Sequence, residues 1–315
     1  MDYIVFDLEW NQCPYGKARE NPALPFEIIE IGAVRVGEDM EIRDTFHTYI
    51  KPTVYRRIHY RTHEVIGLNA DDLKDGMTFP DAARAFLEFC GKDYRFCTWG
   101  PLDLYEFQRN LKFYEMDQLI KFPLYFEDVQ KLFAVTYERE KDRRSLSYAA
   151  EFLKMDDQGD FHHALDDALY TAKVLVQIPK QTIKERFTVD IFKVPRTKKE
   201  EVKIQYPTYE KYITRTFDTS EALMSDRGIT TIRCRECGKA IPKKMKWFAT
   251  GNHVYRCIAL CQEHGYAKGK MRLKKTDEGL VFGVRTVKMV DEEAALKVAE
   301  KKKPRRKKSK NKNNN

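Results

Sequence analysis

The chain contains no run of apolar residues approaching the ~20 that a bilayer-crossing helix requires. It opens "MDYIVFDLEW", with no basic leader and with an acid early in its first apolar run, so no secretory signal is expected and a cytoplasmic, soluble protein is. No internal repeat is visible, which sets repeat architectures aside. Cysteine is too sparse and too unevenly placed for a disulfide framework: seven is an odd number, Cys13, Cys90 and Cys97 stand singly, and Cys234, Cys237, Cys257 and Cys261 crowd together. Scattered thiols with one cluster point to metal binding.

Net positive charge is also absent from the front of the molecule. Residues 1–180 hold 23 Lys and Arg against 32 Asp and Glu, residues 181–300 hold 25 against 16, and residues 301–315 hold 9 basic residues and no acid. The formal charge of +9 is therefore an acidic first half joined to a basic second half, a pattern that suits a polyanionic partner gripped by the second half. The plain alternative for the terminal Lys/Arg/Asn run is a solvated appendage, and it is expected to be disordered because it has nothing to bury.

At 315 residues there is room for roughly two domains. Up to residue 180, strand-like and helix-like stretches alternate. "YIVFDLEW", "FEIIEIGAVRV", "EIRDTFHTYIKP" and "YRFCTW" read as strands. "FPDAARAFLEFC", "LYEFQRNLKF", "SLSYAAEFLKM" and "ALDDALYTAKVLVQI" read as helices. The fold class is α/β with helices flanking a sheet. Residues 181–225 look like a charged linker, and 226–300 a small β domain around the cysteines.

Three pieces of the first half carry chemistry. In the strand "YIVFDLEW", Asp7 and Glu9 project from one face and Phe6 and Leu8 from the other. Two neighbouring carboxylates in an apolar run cost energy unless solvent or a cation compensates. In "CTWGPLDLYEF", Asp103 stands where a strand gives way to a helix, a position an N-cap also explains. In "FHHALDDALYTAKV", His162 precedes Asp167 by five residues at the start of a helix. The helix core face reads as Leu165, Ala168, Leu169, Ala172 and Val176, which leaves Asp166 wet and Asp167 on an inward stripe with Ala164, Thr171 and Val174.

That order of motifs resembles the DEDDh 3′-to-5′ exonucleases of the ribonuclease-H-like fold, and "FEIIEIGAV", "FHTYIKP", "VIGLNADDL" and "TWGPLDL" are similar to segments of its KapD-like, small exoribonuclease branch. The resemblance covers roughly residues 1–180. It implies a five-stranded mixed sheet flanked by helices, with Asp7, Glu9, Asp103 and Asp167 as ligands of two Mg²⁺ or Mn²⁺ ions and His162 as general base. It also implies substrate contacts at Leu8, Ile66, Gly67 and Trp99, although for "VIGL" ordinary core packing is an equal alternative. The segment "GPLD" departs from relatives that carry an acid or aromatic before the Asp. Two hard cations about 4 Å apart suit phosphodiester hydrolysis, and carboxylates are the ligands they prefer.

In the second half, "CRECG" and "CQEHG" both read ligand-x-x-ligand-Gly. They predict a zinc-ribbon-like domain with one structural Zn²⁺ on Cys234, Cys237, Cys261 and His264, Cys257 being the alternate fourth ligand. Basic residues interleaved with aromatics, Lys244 and Trp247 foremost, suit single-stranded nucleic acid. The expected activity is a metal-dependent 3′-to-5′ exonuclease, with RNA ahead of DNA on resemblance. A DNA proofreading enzyme and a non-catalytic nucleic-acid-binding adaptor are the two rival readings.

Overall fold

A computed structural model describes residues 1–138, 142–155 and 163–302. The chain divides into two compact units, residues 1–192 and from Lys193 onward.

The first unit is a mixed sheet between two helical layers. Its strands are β1 (Asp2–Gln12), β2 (Phe26–Val36), β3 (Ile42–Tyr49), β4 (Tyr94–Thr98), β5 (Tyr125–Asp128) and β6 (Thr188–Val189), in the order β3-β2-β1-β4-β5-β6. Strands β1, β4 and β5 run parallel to one another, and β2, β3 and β6 join antiparallel. The sheet has one strand more than expected, the two-residue β6, too short to leave a pattern. Strand β2 is apolar almost throughout and buried along nearly its whole length, as a strand covered on both faces must be.

The helices are α1 (Tyr60–Ile66), α2 (Phe79–Cys90), α3 (Leu102–Phe113), α4 (Val129–Tyr137), α5 (Leu146–Phe152), α6 (Ala164–Gln177) and α7 (Lys180–Arg186). Helix α2 begins where the Thr78 hydroxyl accepts from the Asp81 N–H, ends at Gly91, and buries Phe79, Ala82, Ala83, Phe86 and Cys90, the spacing of one helical face. With α3 it covers the face that presents Ile4, Phe6 and Leu8. Helices α4, α5 and α6 cover the other face, against Tyr3, Val5 and Val34.

Helix α6 buries Ala164, Ala168, Tyr170, Thr171, Ala172, Val174 and Leu175, while Leu165, Leu169 and Val176 pack only partly buried. The expected core face is thus rotated toward the stripe that includes Ala164, Thr171 and Val174. The cause is close approach. A Cβ at Gly32 of β2 would lie 2.1 Å from the Leu165 nitrogen and 2.2 Å from the Ala164 carbonyl carbon, so small residues of α6 occupy the contact and the larger ones flank it.

The second unit is wholly antiparallel: β7 (Val202–Gln205), β8 (Glu210–Ile213), β9 (Lys243–Gly251), β10 (Val254–Cys261), β11 (Gly265–Lys275) and β12 (Val281–Val290), in the order β7-β8-β12-β11-β10-β9. The short helices α8 (Ser220–Ser225) and α9 (Arg227–Thr230) precede the cysteine motif, and α10 (Glu292–Ala299) follows β12. Two boundary expectations are corrected. The first unit runs on to Phe192, because β6 pairs with β5. Residues 193–225 are no linker, since β7 and β8 complete the second sheet by pairing Val202 with Ile213 and Ile213 with Val284. Four-residue strands with two buried positions each are too brief for periodicity to stand out among the surrounding charges. Residues 303–315, which include most of the basic tail, lie outside the described residues. Among the described residues, no helix is long and apolar enough to cross a membrane.

Candidate active site and metal centres

On β1, Asp7 lies opposite Gly32 and Glu9 opposite Glu30 of β2, and the pairing register shifts directly after Glu9. Opposed residues of an antiparallel pair share a face, so Asp7, Glu9, Glu30 and the bare Gly32 lie together beneath the first turn of α6. Bulges of this kind re-aim strand side chains and are frequent beside active sites. The missing side chain at Gly32 lets the backbone of α6 descend onto the sheet and brings Asp167 with it. Ligand oxygens of Asp7, Glu9 and Asp167 then fall within 4.8 Å of one another.

The fourth acid arrives from the other layer. Asp103 is the second residue of α3, 6% exposed, and the cap position itself is held by Pro101, so Asp103 is not the N-cap. Its carboxylate accepts a hydrogen bond from the backbone of Leu8, which ties α3 to β1 between Asp7 and Glu9. Leu8 itself is buried. Asp103 is outside the 4.8 Å group yet raises the pKa of both Asp7 and Glu9.

Burial is the main cause that pushes these carboxyls up, and their mutual repulsion adds to it. Asp7 is raised well above the usual range, by burial, then Asp103, then Asp167. Glu9 is raised to about 9, by burial and then by Glu30, and Asp103 to about 7, chiefly by burial. A cluster that cannot ionise fully in isolation is one in which bound dications replace protons. The oxygen-only donor set fits hard ions such as Mg²⁺ or Mn²⁺.

Glu30 escaped sequence reasoning. It is 1% exposed, bonds His47 Nε2 at 2.9 Å and has His163 Nδ1 at 3.8 Å. The available signal was an acid inside the apolar "FEIIEIGAV", opposite a motif acid. Its neighbour Glu27 is structural: Oε1 accepts from the N–H groups of Thr53 and Val54, and Oε2 from that of Tyr55. His162 lies outside the described residues.

Other expected substrate contacts are used for packing. Ile66 belongs to a small cluster with Ile29, Leu68 and Leu73. Gly67 closes α1 in the left-handed conformation with φ 76°, the role glycine fills at a helix end. Trp99 donates its ring N–H to the Arg144 carbonyl and packs near Phe133.

In the second unit, Cys234, Cys237, Cys261 and His264 converge within 4.8 Å. Cys237 Sγ and Cys261 Sγ are 3.9 Å apart, and Cys261 Sγ and His264 Nδ1 are 3.6 Å apart. Tetrahedral zinc, with Zn–S about 2.3 Å and Zn–N about 2.0 Å, sets ligand edges near 3.8 and 3.5 Å; a disulfide needs about 2.05 Å. The His264 ring is the main cause that holds the Cys261 thiol down at about 6, toward the thiolate a metal binds. Cys257 is elsewhere. Four residues up β10, roughly 13 Å along a strand, it is fully buried, its thiol is raised to about 12 by burial, and a Cβ at Gly269 would sit 2.5 Å from its sulfur.

The surrounding sheet is larger than a zinc ribbon. Lys244 is exposed, but Trp247 is not a free stacking platform, since its ring N–H donates to the Thr230 carbonyl at 2.9 Å and the indole packs into the sheet's core.

Residues 4–175 match the RNase_T exonuclease family model. The chain is 29% identical over 188 residues to the probable 3′-5′ exonuclease KapD of Bacillus subtilis, covering 58% of this chain and 87% of that protein. It is 27% identical over 190 residues to 3′-5′ exoribonuclease 1 of Rattus norvegicus, spanning 56% of this chain but only 53% of that protein. It is 27% identical over 159 residues to the DNA polymerase III epsilon subunit of Rickettsia typhi, with 50% and 68% covered. In fold, it superposes with TM-score 0.52 and 21% identity on the nuclease domain of 3′hExo, a DEDDh family member bound to rAMP, over 60% of this chain and 97% of that one. With the acids gathered as described, these matches establish that the chain belongs to the RNase_T exonuclease family, residues 4–175 forming its exonuclease domain.

Proposed function

We propose that the protein hydrolyses RNA from the 3′ end, with Asp7, Glu9, Asp103 and Asp167 as the ligands of two Mg²⁺ or Mn²⁺ ions. The observation that carries this reading is the convergence of three acids, remote in sequence, within 4.8 Å, with Asp103 anchored to the backbone of Leu8 beside them. When bound, such ions stabilise charge on the transferred phosphoryl group and supply a nucleophile at neutral pH. The chain's own part is positional. Strand β1 holds two acids at a fixed spacing, α6 brings Asp167 over them, and Leu8 orients Asp103, so no carboxylate has to be recruited during the reaction. The general base is His162, an assignment that rests on the family pattern; a ring with a pKa near 6.5 can take up a proton at neutral pH.

A structural zinc on Cys234, Cys237, Cys261 and His264 completes the metal complement. Four protein ligands leave no open position for catalysis. None of the seven cysteines is joined in a disulfide, which suits a reducing compartment such as the cytoplasm.

RNA is favoured over DNA by the similarity to exoribonuclease 1, while the match to the polymerase III epsilon subunit keeps DNA as the second reading. End-labelled RNA and DNA oligonucleotides of one sequence, each with Mg²⁺ and with chelator, separate them. Faster Mg²⁺-dependent shortening of the RNA supports the proposal, and preference for DNA overturns its substrate. If neither strand is shortened, or if shortening survives Asp7→Asn, the adaptor reading takes its place.

A further inference from the structure

We propose that the face of the second sheet that carries α10 also binds, beside that helix and across β10, β11 and β12, the phosphate backbone of a single-stranded nucleic acid, with Arg256, Lys270 and Arg272 as its centre. The proposal rests on the nuclease reading only for the class of polyanion; the site lies in a unit that the family match does not reach.

The first observation is register. Arg256 on β10 lies directly opposite Lys270 on β11, and Lys268 on β11 lies directly opposite Lys288 on β12. Cations placed opposite one another on a sheet repel across about 5 Å and destabilise it. Two such pairs on adjoining strands is an arrangement that folding alone does not favour. Partners are also scarce. Among the described residues, Arg256, Lys268, Lys270 and Arg272 form no ion pair with an acid, and the buried Arg256 Nε has no hydrogen-bond partner. The acid that acts on Lys268, Asp291, already caps α10 by accepting from the Ala294 N–H.

The second observation is shape. Arg256, Lys270 and Arg272 line a pocket of about 580 Å³ together with Thr250, Asn252 and Val254, with no acid and no aromatic ring in its wall. Lys268 and Lys270 are both held below the usual lysine range, first by burial and then by neighbouring cations. An anion seated in the pocket would relieve Lys270, which lines it.

The chemistry points to phosphate rather than base. The nearby aromatics are engaged elsewhere: Trp247 bonds the Thr230 carbonyl, Tyr255 packs into the inner core, and Phe248 and Tyr266 pack under α10. With charges offered and rings withheld, binding should be indifferent to sequence and steep in salt.

The test uses the full chain carrying Asp7→Asn, so that a fluorescein-labelled single-stranded oligoribonucleotide survives titration. It is compared with the same chain also carrying Arg256→Gln, Lys270→Gln and Arg272→Gln. Three lost phosphate contacts at about 0.7 each should flatten the log–log salt slope by about 2 and weaken binding on the order of tenfold at low salt. The triple variant should keep its zinc and melt no lower than its parent, because it has lost repulsion. Unchanged affinity and slope would overturn the proposal, as would a lower melting temperature or loss of zinc, either of which marks a structural role. Vesicles containing phosphatidylserine form the other arm, and a triple variant that loses vesicles but keeps RNA reassigns the face to a lipid surface. Failure of the nuclease reading shows separately, as an Asp7-intact chain that binds RNA through this face and never shortens it.

Discussion

Gly32→Ala is the most incisive single change this structure offers. The added Cβ would stand 2.1 Å from the Leu165 nitrogen, 2.2 Å from the Ala164 carbonyl carbon and 2.4 Å from its oxygen, whereas ordinary contact begins at 3.4 Å. All three atoms are backbone, so no side chain can swing aside, and the first turn of α6 must retreat by roughly 1 Å to restore contact distance. Overpacking of this kind costs about 1–3 kcal/mol, a drop in Tm of roughly 2–12 °C for a unit of this size. The same retreat carries Asp167 away from Asp7 and Glu9, and a displacement near 1 Å is worth about a hundredfold in rate. The assay is Mg²⁺-dependent shortening of an end-labelled oligonucleotide at saturating substrate, with Tm measured alongside. Gly91→Ala serves as the control. Gly91 has φ 77° and ψ −152° at the end of α2, a conformation that strains any other residue by about 1–3 kcal/mol, and it adjoins the far end of the sheet, where Arg35 pairs with Asp2. It should lose comparable stability and keep its turnover. Full activity in Gly32→Ala, or equal loss in Gly91→Ala, would refute the claim that this glycine sets the position of Asp167.

Asp7→Asn should lower turnover by on the order of a thousandfold or more, the scale of charge stabilisation a bound dication supplies. In chelator it should melt no lower than wild type, since a neutral amide relieves a crowded acid, and it should lose the Tm gain that Mg²⁺ gives the wild type; destabilisation without metal would contradict this. Because Glu9 is held at about 9 and Asp103 at about 7, Mg²⁺ binding near pH 7.5 should release protons, seen by calorimetry as heats that vary with the buffer's ionisation enthalpy; identical heats in all buffers would count against it. In chelator the raised Glu9 carboxyl contributes stability fully below its ordinary value of 4.5, and that contribution is lost as pH rises through about 9, so Tm should fall across that window. In the second unit, Cys261→Ser should abolish one equivalent of zinc by elemental analysis, whereas Cys257→Ser should retain it and lose only packing stability, about 1–2 kcal/mol. Zinc lost from the Cys257 variant with its fold intact would reinstate that thiol as a ligand.

Much of the first unit was legible because local pattern and tertiary role coincide there. "FPDAARAFLEFC" is helix α2 from its first residue to its last. Asp7 and Glu9 show their common face through strand alternation alone, and Asp167 follows from the stripe it shares with Ala164 and Thr171. The ligand-x-x-ligand-Gly motifs likewise announce the cysteine site, since a two-residue turn ending in glycine is a local object: Gly238 has φ 69° and Gly265 φ 81°.

Other features became fixed only when distant segments met. That Gly32 is a floor for α6, that Glu30 joins the acids across a strand pair, and that Leu8 holds Asp103 all depend on register between strands and helices far apart in the chain. That His264 and not Cys257 lies within 4.8 Å of Cys234, Cys237 and Cys261 follows from distance along β10, and the work of Trp247 from a carbonyl seventeen residues away. Pattern in a sequence reports which face a residue takes within its own element. What lies opposite that face is set by how elements pack, and in this protein the packing decides which acids share a site and which cations are left facing each other.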